Sequence, residues 1–85
     1  MSANDIAKEN VKSASRFGRY MAEHPEVLEG IPQESHFVFF SSNHYINLYN
    51  EKLGKDLIKN GERNVYKIVP NNKGYEIESL VKETV

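Results

Sequence analysis

Ser41-Ser42-Asn43-His44 is the stretch of this sequence whose residue types best suit ligand binding. It sets two hydroxyls, an amide and an imidazole between the apolar run Phe37-Val38-Phe39-Phe40 and a helix-patterned segment beginning at about His44. In sheets flanked by helices, ligands collect beyond the carboxyl ends of strands, where loops enter helix N-termini whose free amides attract anions. Ser41, Ser42, Asn43 and His44 are therefore the candidate site for a small anionic or nucleotide-like ligand. The glycine-rich turn and lysine of a phosphate-binding loop are missing, as is a dinucleotide fingerprint. Serine and asparagine are also ordinary helix N-cap residues, so a capped helix behind a polar loop is the competing reading.

A second constellation is basic. Lys8, Lys12, Arg16 and Arg19 share one face of a helix, a geometry that could meet the phosphates of a nucleic acid. Asp5, Glu9 and Glu23 flank that face, and ion pairs on a solvated helix account for the same pattern, so nucleic acid is not the expected partner. Three histidines raise the question of a metal. His36 opens the first strand-like run and His44 follows its far end, while His24 has no ligand-spaced companion; at about 3.3 Å per strand residue the first two stand too far apart to share an ion. No Ser/His/Asp arrangement is visible, and without cysteine there is no thiol nucleophile. The sequence thus offers no catalytic residues, no metal site and no cofactor, and the reading leans away from an enzyme.

The elements that would position these residues follow from periodicity. From Asn4 to Glu23, Ile6, Ala14, Phe17 and Met21 fall on one side of a helix. His24-Pro25-Glu26-Val27-Leu28-Glu29-Gly30 reads as a short helical turn begun by proline and stopped by glycine. His36 to Phe40 is short, aromatic and apolar on both alternating faces, the signature of a central strand covered on both sides. A second helix runs from about His44 to Asn60 on a stripe of Ile46, Tyr49, Leu53 and Leu57, capped by Asn43 or Ser42 and stopped at Gly61. Leu48 falls off that stripe. Asn64 to Val69 is a second strand ended by Pro70, and Asn71-Asn72-Lys73-Gly74 supplies turn chemistry. Strand, helix, strand with short connections predicts a parallel βαβ unit with a right-handed crossover. Residues 75–85 fit either a strand or a terminal helix, and an antiparallel return at Tyr75 to Leu80 is the preferred assignment. Phe17 and Leu53, each in the middle of its stripe, are the expected core anchors.

The sum is an α/β fold, with α+β kept open: an N-terminal helix, a βαβ unit and a C-terminal strand or helix, in two or three layers. Eighty-five residues suffice for a single small domain, 1–85. With 39% hydrophobic and 27% charged residues the composition is that of a globular chain. The longest nearly apolar run, Phe37 to Phe40, falls short of the roughly 20 residues a membrane helix needs, and the polar N-terminus does not resemble a signal peptide, so a cytoplasmic location is expected. A net charge of −1 lacks the footprint of a general nucleic-acid binder.

Asn10, Phe17, Tyr20, His24-Pro25-Glu26, Leu28 and Ile31-Pro32, followed by a short apolar strand and then Tyr49-Asn50 inside a helix, resemble a small prokaryotic family of unknown function over roughly residues 8 to 69. The resemblance implies a compact α/β fold and no established activity. The functional expectation is a non-enzymatic interaction domain that forms a homodimer or higher homo-oligomer, because an apolar two-sided strand, open sheet edges and the lack of disulfides or metals all favour further apolar burial.

Overall fold

In the computed structural model, which describes residues 2–81, the chain forms two compact units, Met1–Pro32 and Gln33–Val85. The first holds helix α1 (Ala3–Glu23) and a 3-10 helix, Pro25–Gly30. α1 begins in a capping box: the Ser2 hydroxyl oxygen accepts the Asp5 amide at 3.2 Å, and the Asp5 carboxylate accepts the Ser2 amide at 3.2 Å. Two amides that helix geometry would otherwise leave unpaired are thereby satisfied. The helix ends where His24 donates its amide to the Tyr20 carbonyl and Pro25 has no amide to continue the ladder. Pro25 instead opens the 3-10 helix, where its fixed φ is preorganised. The His24 ring lies 4.5 Å from the Tyr20 ring. Ile6 and Phe17 are buried, with Asn10, Ser13, Tyr20 and Met21 half-buried beside them. Ala14, expected on the apolar stripe, is exposed at its edge.

The second unit is a small α+β arrangement: strand β1 (His36–Phe39), helix α2 (His44–Lys59), strand β2 (Val65–Asn71) and strand β3 (Gly74–Ser79). The sheet order is β1-β2-β3, with β1 parallel to β2 and β3 antiparallel to it. The parallel βαβ unit and the antiparallel return are as the sequence predicts; the part of the C-terminal assignment that concerns residues 82–85 lies outside the described residues. β1 is an edge strand and β2 the central one, which corrects the expectation drawn from the two-sided apolarity of His36 to Phe40. Pro70 lies within β2 rather than ending it, past the last β1 pairing, Phe39 with Ile68, where its missing donor faces no β1 partner. Gly61, at φ 96°, ends α2 in a conformation that favours glycine, and Glu62 donates its amide back to the Leu57 carbonyl.

The register assigns the two faces of the sheet. Val38, Val65 and Lys67 share the face toward α2; Phe37, Phe39, Tyr66, Ile68 and Ile77 share the other. The helix approaches closely because Gly54 has no side chain: a Cβ there would stand 3.1 Å from Leu80 Cδ1 and 3.4 Å from Val38 Cγ2. Around this contact Val38, Ile46, Asn50, Gly54 and Val65 are buried. The stripe predicted for α2 is therefore rotated. Leu53, expected as a core anchor, is 43% exposed, as is Tyr49 at 47%, while Asn50 and Gly54 face inward. Phe17, the other expected anchor, is 1% exposed.

Candidate functional site

Asparagines set the geometry of the β1–α2 connection. Asn43 is the N-cap of α2, its side-chain oxygen accepting the Tyr45 amide at 3.0 Å and the Ile46 amide at 3.3 Å. Its own amide donates to the Ser41 hydroxyl at 3.0 Å. Four residues on, Asn47 clasps the loop backbone in both directions, donating to the Ser41 carbonyl and accepting the Ser41 amide, each at 2.8 Å. Asn50, one turn further, donates to the Phe39 carbonyl at 2.6 Å. Because the Phe40 amide points across to Ile68 of β2, the preceding carbonyl points away from β2, and the Asn50 amide donates to it there.

The structure thus brings Ser41, Ser42, Asn43 and His44 together at the C-terminal end of β1, where the sequence places them. Ser41, Ser42 and His44 are exposed and Asn43 is half-buried. The Tyr45 and Ile46 amides, which an anion would need, already bond to Asn43. Lys8, Lys12, Arg16 and Arg19 are all exposed on α1, and Lys12 stands 3.4 Å from Glu9. The histidines are separate from one another in their contacts: His36 Nε2 meets Glu62 at 3.1 Å and His24 Nδ1 meets Glu26 at 3.4 Å. Among the described residues no group of three metal-ligating side chains is assembled.

What the sequence reading missed is on the opposite side of α2. Turning Asn50 and Gly54 inward turns Tyr45 (69% exposed), Leu48 (51%), Tyr49 and Leu53 outward. At 100° per residue these four, with Lys52 and Asp56 between and beyond them, occupy one face of the helix. Tyr49, Lys52, Leu53 and Asp56 line a shallow depression there, and Lys52 pairs with Asp56 at 3.5 Å. Single exposed leucines are ordinary, but here two leucines and two tyrosines share one exposed face, with Lys52 and Asp56 among them. Two signals in the sequence pointed to it: Leu48 standing off the assumed stripe, and Asn43, Asn47 and Asn50 recurring at helical spacing on the side taken as polar.

Among the described residues no helix is long and apolar enough to cross a membrane. Comparison with curated proteins and with solved structures gave no match. A family model does match, over residues 5–84, nearly the whole chain. The protein belongs to that family, a family of unknown function (DUF5647).

Proposed function

We propose that this protein is a non-enzymatic interaction domain that self-associates through the outward face of α2. The observation that carries the reading is the exposure of Tyr45, Leu48, Tyr49 and Leu53 on that one face. A second copy is the partner because the face is complementary to itself. In an antiparallel pair, a two-fold axis between the helices level with the Asn50–Glu51 peptide sets Tyr45 level with Asp56, Leu48 level with Leu53 and Tyr49 level with Lys52, each pair occurring twice. The pairs are a phenol that can donate to a carboxylate, two leucines, and an ammonium that can sit over an aromatic ring. Moving the axis to residue 52 would set Lys52 against Lys52, which disfavours that register. The stripe runs roughly 17 Å along the helix, three turns, so the interface is small and association depends on concentration.

An anion at Ser41 to His44 receives less support, since the cap occupies the amides, and nucleic acid on the Lys8 to Arg19 face is opposed by the pairing of Lys12 with Glu9 and the net charge of −1. Sedimentation velocity tests the reading. The mass should rise from 9.8 kDa toward twice that value as concentration increases. Leu48→Glu should hold it at the monomer mass with unchanged far-ultraviolet circular dichroism, because Leu48 lies outside the core. A monomer mass at every concentration, or a Leu48→Glu protein that associates like the parent, would sink it.

A further inference from the structure

Lys67 is out of place by the ordinary logic of a sheet. It lies in the central strand, level with Val38, on the face that α2 covers, where an apolar side chain would be expected. It is half-buried, and among the described residues no carboxylate stands within ion-pair distance of its ammonium. Its contact is instead the Phe40 ring, with Nζ 4.4 Å from the centroid. That ring is one wall of a cleft of about 240 Å³ between α2 and the sheet, whose other walls are Glu51, Lys55, Ile58, Lys67 and Leu80. Glu51 is engaged by Lys55 at 3.3 Å, so among the described residues no carboxylate balances the Lys67 charge at the cleft.

We infer that this cleft binds a small organic carboxylate with a flat or branched apolar body. The carboxylate takes the Lys67 ammonium, aided by Lys55, which replaces a cation–π contact with a charge-assisted hydrogen bond. The body lies on Phe40, Ile58 and Leu80. Pockets for drug-sized ligands run to about 300–1,000 Å³, so 240 Å³ sets the ligand near the size of a single ring. Ile58 lies on a different side of α2 from Tyr45, Tyr49 and Leu53, while Lys55 and Glu51 fall beside Leu48 at the edge of that outward face.

Titration of the ¹⁵N-labelled protein with benzoate tests this, with inorganic phosphate as charge without ring and benzyl alcohol as ring without charge. Benzoate should give saturable amide shifts centred on Phe40, Ile58, Lys67 and Leu80, and the other two probes should not. Lys67→Met, which keeps the apolar stem, should weaken benzoate by about tenfold or more, the effect of losing one hydrogen bond to a charged group. Lys55→Met, at an exposed position, should weaken it several-fold and decides the matter if the Lys67 variant does not fold. No saturable shift with benzoate, an equal response to phosphate or benzyl alcohol, or unchanged binding in the folded lysine variants would overturn the assignment.

Discussion

α1 and α2 choose their inward faces by different means. In α1 the largest apolar side chain, Phe17, is buried, its ring 6.3 Å from that of Tyr20, and the charged residues lie outside. In α2 two tyrosines and two leucines lie outside, while an asparagine and a glycine lie within. Hydrophobic burial alone would favour the opposite rotation, since each leucine taken from water is worth about 1.5–3 kcal/mol. What holds α2 in its observed rotation is specific: the Asn50 donor satisfies an edge-strand carbonyl, and Gly54 lets the helix approach Val38 and Leu80. An unsatisfied buried carbonyl would cost about 1–3 kcal/mol, and close packing of the helix backbone adds dispersion contacts along the whole interface. The exposed stripe is the counterpart of that choice.

The contrast predicts a graded series in urea unfolding. Phe17→Ala should cost about 3–5 kcal/mol, the range for removing a buried aromatic ring. Asn50→Ala should cost about 1–3 kcal/mol through loss of the buried amide that donates to the Phe39 carbonyl, a large loss for a polar-to-apolar change. Asn43→Ala should cost about 0.5–2 kcal/mol, because two helix amides lose their acceptor. Leu53→Ala should fall below about 1 kcal/mol, as expected away from the core. A Leu53→Ala loss as large as that of Phe17→Ala would break the comparison, and an Asn50→Ala protein of unchanged stability would remove its physical cause.

The smallest effect is at the start of α1. The Ser2 hydroxyl and amide hold the Asp5 carboxyl below its ordinary 3.8. A depressed folded-state value means the cap contributes above the ordinary value and is lost as pH falls through the lower one. Nuclear magnetic resonance titration of Asp5 should therefore give a midpoint under 3.8, with the first turn of α1 fraying as it is passed. A midpoint at or above that value would show that the capping box does not persist in solution.

Much of the fold is written in local chemistry. Pro25, Gly30, Asn43 and Gly61 mark where helices begin and end because caps, missing amides and positive φ act within a few residues, and the short connections around α2 sufficed to make β1 and β2 parallel. The loop Ser41 to His44 was legible too, as was its competing role as a cap. The rotation of α2 was not, since it depends on the Phe39 carbonyl eleven residues before Asn50 and on Leu80 well after Gly54, partners that periodicity does not register. Edge or centre for β1 likewise awaited the sheet: both faces of His36 to Phe40 are apolar, yet only the pairing of β2 with β3 put β2 in the middle. The sequence by itself determined where the helices start and stop, because those signals are local. Tertiary structure alone decided which face of α2 meets the sheet, and with it which residues stay exposed, because a hydrogen bond and a close approach across the fold outweighed the burial of two leucines.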